Sequence, residues 1–402
     1  MIVVEGVRFA GPLEPYAHQC AAELSRLGYP RASVEKKLRV VAQLSRWLAE
    51  QRMAARALTP QVAEEFMAAR RVAGYQDYLT PASLTSVLTY LRRLEVIGAC
   101  DVARLSPVDA LLERYRDYLT VERGLADSTV IWLVRWVRPF LAGRMVEGGL
   151  DLAGLTSGDI TEFVLEVSRE PRARKAKATA TSLRSFLRFL HVKGLVPSSL
   201  VGAVPSVATR RSASLPRSLE QHDVSRLLSS CDRRTAAGRR DFAILLLLVR
   251  LGLRAGEVAG LMLDDLDWRA GELVVSGKGG RRERLPLPDE VGQAIVGYLQ
   301  RGRPASALER TVFVRVGAPH SQMTAGAVTS AVHRAGQRAG LEGIRAHRLR
   351  HTAASQMLAA GASLTEIGQL LRHSRTSTTS IYAKVDRDAL RTVARPWPGG
   401  AA

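Results

Sequence analysis

Apolar residues recur at helical spacing through the first half of the chain. Leu38, Val41, Leu44 and Leu48 form one such stripe. Residues three or four apart lie on the same face of an α-helix, so a stripe of this kind predicts an amphipathic helix that buries one side. We expect residues 1–200 to fold as helices of this type, joined by short turns.

Two parts of this helical half resemble two later parts. The segment Leu58–Phe66 is similar to Leu155–Phe163, and Ser86–Gly98 is similar to Ser182–Gly194. Because the two matches come in the same order and at nearly the same offset, they favour an internal duplication. The alternative is that amphipathic helices look alike when a glycine follows them, since glycine is the common helix stop.

The second half of the chain has a different pattern. Val201–Arg217 contains prolines and arginines but no apolar periodicity, which is typical of a linker. Leu273–Val275 and Arg284–Leu287, on either side of a glycine-rich turn, predict a β-hairpin. The other predicted elements are helices, at Leu219–Cys231, at Asp241–Leu251 and within Glu290–Leu390. The expected fold class is therefore mainly α, with a small antiparallel β-sheet in the second half.

Charge narrows the choice of function. Lysine and arginine together number 58 and aspartate and glutamate 38, which leaves a net charge of +20. A basic surface attracts polyanions, because binding to phosphates releases condensed counterions. The excess favours a nucleic-acid partner over a protein whose many arginines are simply solvated.

Other features of the composition exclude some classes of protein. Cys20, Cys100 and Cys231 are far apart and form no CxxC pair, so we expect reduced thiols, with neither a disulfide framework nor a cysteine metal site. The longest strongly apolar run, Phe242–Val249, is too short to span a membrane. Met1–Glu5 lacks the basic and apolar segments of a secretory signal. We expect a soluble protein of the cytoplasm.

Four short segments of the second half carry side chains that suit phosphate chemistry. Arg254 follows the apolar helix, and Glu257 can pair with it from the same helical face. Lys278 lies in the glycine-rich turn, where a lysine is usually only solvated. His347 and Arg350 are one helical turn apart. A group that exchanges protons near neutral pH would thus lie beside a guanidinium that can bind two phosphate oxygens.

The fourth segment ends in a tyrosine. His373 precedes Tyr382, and the serines and threonines between them are good helix N-caps. Each segment also has an ordinary explanation: an ion pair at Arg254, a chance H-x-x-R at His347, a packing residue at Tyr382. The ordered set is far more specific than any one of its members.

This ordered set resembles the tyrosine recombinase (phage integrase) family. The local sequences are similar too, with GLRAGE at the first arginine, GKGG followed by RLPL at the lysine, HRLRHT at the first histidine, and HSRTSTTSIY ending at the tyrosine. The catalytic resemblance covers residues 215–386, and residues 107–204 resemble, less specifically, the family's helical core-binding domain. Arg372 is a departure, because it stands where the family often has glycine.

The resemblance implies a site-specific DNA recombinase. Tyr382 would attack a DNA phosphate and form a 3′-phosphotyrosyl link, which conserves the bond energy so that rejoining needs no ATP. Two arginines would clamp the phosphate, Lys278 would protonate the leaving 5′ oxygen, and Glu257 would orient Arg254. His347 would assist proton movement at the tyrosine, and His373 would hydrogen-bond the phosphate. The implied catalytic set is Arg254, Lys278, His347, Arg350, His373 and Tyr382. No cofactor and no metal are expected.

Further basic residues are expected to contact double-stranded DNA. A basic run is placed just before a helix that starts near Thr179, where side chains and backbone N–H groups can hold a phosphate together. A solvated loop is the alternative. The residues predicted to bind DNA are Arg172, Arg174, Lys175, Lys177, Arg281, Arg282, Arg348 and Arg372. His351 is expected to be a packing residue.

These inferences define a domain plan and an assembly. The expected domains are a helical N-terminal domain, a candidate duplicate of the next one (1–104), a core-binding domain that clamps DNA (105–204), a linker (205–217), a catalytic domain (218–386) and a tail (387–402). The resemblance implies a homotetramer on two DNA sites, with the tail docking on a neighbouring protomer. Accessory recombination proteins are left open.

Several readings of the biological role compete. The extra N-terminal region favours a recombinase that integrates or excises a mobile element over one that resolves chromosome or plasmid dimers. A type IB topoisomerase uses similar chemistry, but the integrase-like motifs weigh against it. A non-catalytic DNA-binding protein or a basic RNA-binding protein would leave the ordered residue set unexplained. The expected location is the bacterial cytoplasm, at the nucleoid during activity.

Overall fold

The computed structural model describes residues 2–98, 106–146, 149–169, 173–206, 218–277 and 281–372. The chain divides into two compact units, one formed by Asp101–Ala213 and the other by Met1–Cys100 together with Ser214–Ala402. None of the helices in the described ranges is long and apolar enough to cross a lipid bilayer.

The N-terminal part of the larger unit is a short hairpin followed by four helices. Its elements are β1 (Ile2–Val4), β2 (Val7–Phe9), α1 (Ala17–Arg26), α2 (Arg31–Glu50), α3 (Pro60–Val72) and α4 (Thr85–Arg93). The stripe Leu38, Val41, Leu44 and Leu48 is buried in a core that these elements form among themselves, as its helical spacing predicts.

The hairpin β1–β2 departs from the all-helical expectation for residues 1–200. Glu5 and Gly6 form its two-residue turn with φ angles of 47° and 76°, and a type I′ turn requires positive φ at both positions. Val4, Val7 and Phe9 are buried, and β2 packs on α2. The strands have three residues each, too few for alternation to stand out in the sequence.

The described residues of the smaller unit also form four α-helices. Its elements are α5 (Pro107–Asp117), α6 (Asp127–Ala142), β3 (Met145–Val146), β4 (Gly149–Leu150), α7 (Ser157–Arg169) and α8 (Ala173–Val192). The Tyr115 ring lies at the centre of its core, with its centroid 5.1 Å from that of Phe186 and 5.2 Å from that of Phe189. Large rings in T-shaped and tilted contact account for much of the packing here.

The two four-helix sets share a local feature. Thr59 accepts a hydrogen bond from the Val62 N–H at 3.2 Å at the start of α3, and Thr156 accepts from the Asp159 N–H at 3.3 Å at the start of α7. These are N-cap hydrogen bonds at corresponding positions of the two similar segments. The duplication itself stays a prediction.

The start of α8 corrects one expectation. The helix begins at Ala173 and not near Thr179, so Arg174, Lys175 and Lys177 lie within its first turns and do not precede it. The alanines that alternate with these basic residues have the highest helix propensity, and lysine and arginine are also good helix formers. Arg172 lies outside the described residues. Whether this basic run contacts DNA stays a prediction.

The C-terminal part of the larger unit is mostly helical with one three-stranded sheet. Its elements are α9 (Gln221–Ser229), α10 (Ala236–Arg250), α11 (Ala255–Ala259), β5 (Leu266–Asp267), β6 (Glu272–Ser276), β7 (Arg282–Pro286), α12 (Asp289–Arg301), α13 (Ala325–Arg338), α14 (Ala346–Ala359) and α15 (Leu364–Leu370). The strands are antiparallel in the order β5-β6-β7. This architecture confirms the predicted fold class.

Helix α10 lies at the centre of this part. Its residues 243–249 are at most 2% exposed, and α12, α13 and α14 pack around it. A helix that is apolar on all sides must be buried on all sides, which explains the uninterrupted apolar run. The residues that follow α10 are therefore held against a rigid core.

Candidate active site

The site is built where the chain leaves α10. Gly252 follows that helix with a φ angle of 57°, a left-handed conformation that glycine adopts without strain. A Cβ atom on Gly252 would lie 2.5 Å from the Leu371 side chain. Glycine therefore allows both the turn and the close approach of the end of α15, which is distant in sequence.

Arg254 is the N-cap residue of α11, and Glu257 holds it at two points. Glu257 Oε2 accepts from the Arg254 backbone N–H at 2.7 Å, and Glu257 Oε1 accepts from Arg254 Nη1 at 2.6 Å. The Arg254 side chain is 41% exposed, whereas that of Glu257 is only 4% exposed. A buried carboxylate thus fixes one edge of a guanidinium that still reaches solvent.

The charge state of Glu257 follows from its neighbours. Burial by itself would raise the pKa of this carboxyl group. The hydrogen bond from the Arg254 backbone N–H and the positive charges of Arg372 and Arg254 outweigh burial, so the pKa of Glu257 lies below its ordinary value. The carboxylate is ionised at neutral pH.

Arg350 lies on α14 and is only 3% exposed. Its two terminal nitrogens donate to the backbone carbonyls of Gly252 and Leu371. Arg350 therefore joins the end of α10 to the end of α15, and a buried guanidinium with these bonds is held in one orientation.

His347 and His351 lie one turn apart on the same helix. Their Nε2 atoms are 3.0 Å apart and the rings meet edge to face, with centroids 4.3 Å apart. Partial loss of hydration and the charges of Arg350 and Arg254 lower the pKa of His347. Loss of hydration, His347 and Arg350 lower the pKa of His351 to about 4. Both rings are neutral at pH 7, so His347 can accept a proton.

The described residues bring half of the predicted catalytic set together. Arg254, His347 and Arg350 come from two separate segments, and both arginines lie close enough to His347 to lower its pKa. Lys278, His373 and Tyr382 lie outside the described residues. In the sequence, Lys278 falls between the residues of β6 and those of β7, and His373 directly follows Arg372.

The residues predicted to bind DNA are found in different settings. Arg281 is exposed. Arg282 is also exposed and donates to Asp265 Oδ1 at 2.7 Å, while Arg348 Nη1 donates to the Glu342 carbonyl at 3.2 Å. Their contact with DNA stays a prediction.

Arg372 is not placed as the sequence suggests. Its side chain is 3% exposed, and its Nη2 donates to Glu257 Oε2 at 2.8 Å, so the guanidinium faces the buried carboxylate and not solvent. In this position it does not present its charge to a DNA backbone. The one signal in the sequence is that an arginine stands where glycine is usual, and this does not indicate where the side chain goes.

Sequence reasoning also missed the contact between His351 and His347. The i, i+4 spacing places both rings on one helix face, and that spacing is the signal that could have revealed it. Within the ranges that the structure describes, no three histidine, cysteine or acidic side chains converge on a point where they could hold a metal ion.

Two regions of the chain match known protein families. Residues 217–388 match the "Phage integrase family", and residues 112–194 match the "Phage integrase, N-terminal SAM-like domain". A putative integrase/recombinase of Sinorhizobium fredii, y4rA, is 40% identical over 396 residues, covering 97% of this chain and 96% of that protein. The tyrosine recombinase XerD of Mycobacterium tuberculosis is 32% identical over 304 residues, covering 72% of this chain and 96% of that protein.

Solved structures show the same fold. The site-specific recombinase XerH, in a post-cleavage complex with a palindromic difH substrate, superposes with a TM-score of 0.54 and 16% identity, covering 83% of this chain and 94% of that one. A λ integrase dimer (residues 75–356) bound to a core site gives a TM-score of 0.51 and 19% identity, covering 73% and 98% of the two chains. At this level of identity the likeness concerns the fold alone.

Proposed function

This chain belongs to the phage integrase family of tyrosine recombinases and is a site-specific recombinase, and we propose that Tyr382 is its nucleophile. The observation that carries the proposal is that Arg254 and Arg350 meet at the end of α15, with His347 close enough to both arginines for their charges to lower its pKa. The chain continues directly from that point through His373 to Tyr382.

The proposed reaction conserves the energy of the phosphodiester bond. The Tyr382 phenol oxygen bonds to phosphorus, the bond from phosphorus to the 5′ oxygen breaks, and the products are a 3′-phosphotyrosyl link and a 5′-hydroxyl. His347 takes up the phenol proton, Lys278 gives a proton to the departing oxygen, and His373 hydrogen-bonds the phosphate. The reverse reaction with a 5′-hydroxyl from a partner duplex completes strand exchange.

The two arginines supply electrostatic stabilisation. Charge on the non-bridging oxygens grows in the pentacoordinate transition state, and guanidinium groups already fixed in place stabilise it without reorganising. Arg254 is fixed by Glu257, and Arg350 by the carbonyls of Gly252 and Leu371. Two oriented cations can do in this site what bound metal ions do in other phosphoryl-transfer enzymes.

For the biological role, the proposal is integration or excision of a mobile element. The integrase/recombinase y4rA aligns with 97% of this chain, whereas XerD aligns with 72%. The chain thus carries additional sequence that the XerD alignment does not include. Four protomers acting on two duplexes in the bacterial cytoplasm complete the proposed assembly.

The N-terminal helical part is proposed to form an additional DNA-binding surface. On α2 the side chains of Lys36, Arg39 and Arg46 are all exposed and share one side of the helix by their spacing. If these residues contact phosphates, changing Lys36 and Arg46 to glutamate should weaken DNA binding and lower the salt dependence of log K by about 0.9 per lost contact.

The experiment uses purified protein with DNA that flanks its own gene, in EDTA. Wild type, Tyr382→Phe and the control Tyr75→Phe, which alters an exposed tyrosine of the N-terminal part, are compared for an SDS-resistant, protease-sensitive adduct. We expect the adduct with wild type and with Tyr75→Phe only, and sequencing its ends locates the site. An adduct with Tyr382→Phe would rule out Tyr382 as the nucleophile. Cleavage at a chromosomal site unrelated to the flanks would favour dimer resolution.

A further inference from the structure

Arg372 occupies a backbone position that disfavours its own residue type. It follows α15 and the C-cap residue Leu371, its N–H donates to the Gln369 carbonyl at 2.8 Å, and its φ angle is 55°. Glycine is the usual residue at this left-handed position after a helix, because a Cβ atom is strained there. An arginine here accepts that strain, as Arg52 does after α2, so a role for Arg372 has to be argued from the contacts of its side chain.

The Arg372 side chain turns inward and is bonded at both terminal nitrogens. Nη2 donates to Glu257 Oε2 at 2.8 Å, and Nη1 donates to the Leu370 carbonyl at 2.9 Å. Its Nε is buried and has no hydrogen-bond partner among the described residues. The arrangement is therefore directed at Glu257, at the cost of one unsatisfied donor.

The end of α15 also holds both arginines of the proposed phosphate clamp. The Arg372 carbonyl accepts from Arg254 Nη2 at 3.0 Å, and the Leu371 carbonyl accepts from Arg350. Arg372 thus contacts Arg254 directly through its own carbonyl and is linked to it indirectly through the shared carboxylate of Glu257. A substitution of Arg372 can therefore alter the position of Arg254 even though Arg372 itself does not contact DNA.

Sharing the carboxylate changes the charge that Arg254 presents. Without Arg372, Glu257 and Arg254 would form a neutral pair. With it, one carboxylate faces two guanidinium groups, and of the three side chains only Arg254 has a substantial exposed fraction, 41% against 3% and 4%. The excess positive charge of this cluster therefore lies at the exposed edge of Arg254, which is the edge that an anion from solvent can reach.

We propose that Arg372 is a positioning residue for DNA cleavage: it takes up part of the charge of Glu257 and fixes Arg254, so that Arg254 meets the scissile phosphate as a cation that Glu257 only partly compensates. The proposal rests on the proposed function and adds a residue that replaces the usual glycine. A purely structural ion pair is the competing explanation.

The test is the rate of adduct formation in EDTA, in single turnover at saturating protein, on the site located with the wild type. Arg372→Gly keeps the left-handed backbone and removes only the side chain. We expect cleavage to slow by about tenfold, less than for loss of a direct donor, with DNA affinity nearly unchanged. Arg372→Lys should restore part of the rate, because a lysine can still donate to Glu257.

A second change separates charge from structure. If Arg372 acts by sharing the charge of Glu257, then Glu257→Gln in the Arg372→Gly background should raise the cleavage rate. If Arg372 is only structural, the second change should lower it further. Arg52→Gly is the matched control, because Arg52 follows α2 with a φ of 56° and is exposed, and this variant should cleave like the wild type.

The outcomes are distinct. Wild-type cleavage by Arg372→Gly, or a slow Arg372→Gly that Glu257→Gln slows further, would overturn the role of Arg372 and leave Tyr382 as the nucleophile. If the wild type forms no adduct that depends on Tyr382, the proposed function fails and this inference fails with it.

Discussion

A cluster of charged side chains lies near each end of helix α10, and the two clusters are built differently. Near its start, Arg240 pairs with Asp241 at 2.7 Å, and their side chains are 7% and 6% exposed. After its end, Glu257 is the one carboxylate among the described residues that pairs with Arg254 and Arg372, and Arg350 lies close by on backbone carbonyls. The first cluster is electrically balanced, and the second carries excess positive charge.

The difference separates an ion pair inside the fold from a cluster that we propose binds an anion. At Arg240, all charge is matched and withdrawn from water, and the Nη1 group donates to the Val314 carbonyl at 3.4 Å. Arg254 shares its buried partner Glu257 with Arg372, so these three side chains carry one positive charge in excess. Of the three, only the guanidinium of Arg254 exposes that charge to solvent. Both clusters contain arginine. They differ in the number of carboxylates for each arginine and in the exposure of the guanidinium group.

Of the changes within these two clusters, removal of Arg350 should have the largest effect on cleavage. Arg350→Ala deletes one cation of the proposed clamp, and loss of an arginine that stabilises a phosphoryl-transfer transition state costs on the order of 10³-fold in rate. The measurement is adduct formation in single turnover, with thermal unfolding recorded to confirm that the variant is folded. A folded variant that cleaves within tenfold of the wild type would show that the second cluster is not the phosphate site.

Removal of Arg240 should lower the stability of the fold and leave cleavage by the folded protein unchanged. Arg240→Ala leaves Asp241 buried without its partner, and breaking a buried pair in this way costs about 3–5 kcal/mol of unfolding free energy. The double change Arg240→Met with Asp241→Leu removes both charges and should be much less destabilising. Denaturant unfolding measures the first effect, and folded protein of either variant should cleave at the wild-type rate. Slow cleavage by a folded double variant would break the comparison.

The dependence of the unfolding free energy on pH should be the smallest of these effects. The pKa of His351 is lowered from 6.5 to about 4, so the unfolded chain binds a proton before the folded one does. Stability from this group is present above pH 6.5 and is lost as the pH falls from 6.5 towards 4. His351→Gln should flatten the pH dependence of the unfolding free energy in that window.

The pH dependence of the cleavage rate should reflect the protonation of His347. Because the pKa of His347 is lowered by loss of hydration, Arg350 and Arg254, its neutral form should persist below pH 6.5. We therefore expect the acid fall of the single-turnover rate to be centred below the pH of about 6.5 at which an ordinary histidine is half protonated. A rate that already declines between pH 8 and pH 7 would contradict the role of neutral His347 as proton acceptor.

Part of the site could be predicted from the sequence because it is local. Arg254 with Glu257, and His347 with Arg350, lie one helical turn apart, and helix geometry alone puts such pairs on one face. The apolar run in α10 likewise predicts a buried helix. The order of the motifs then points to the family without any knowledge of their positions in space.

The rest depends on contacts between distant segments. Nothing in the sequence indicates that the Leu371 carbonyl meets Arg350, or that Gly252 is close to the end of α15. The inward turn of Arg372 depends on a backbone angle and on a carboxylate more than a hundred residues away. Charge patterns predict such an arginine on the surface, because that is where most arginines lie.

The central claim is that the second cluster exists to compensate the charge of one DNA phosphate. The most direct measurement replaces the scissile phosphate with a methylphosphonate, which lacks the negative charge, and compares cleavage by wild type and by Arg350→Ala. The account predicts that Arg350→Ala is nearly inactive on the phosphate and recovers substantially on the methylphosphonate, because the charge that Arg350 balances is gone. Equal impairment of Arg350→Ala on both substrates would contradict it.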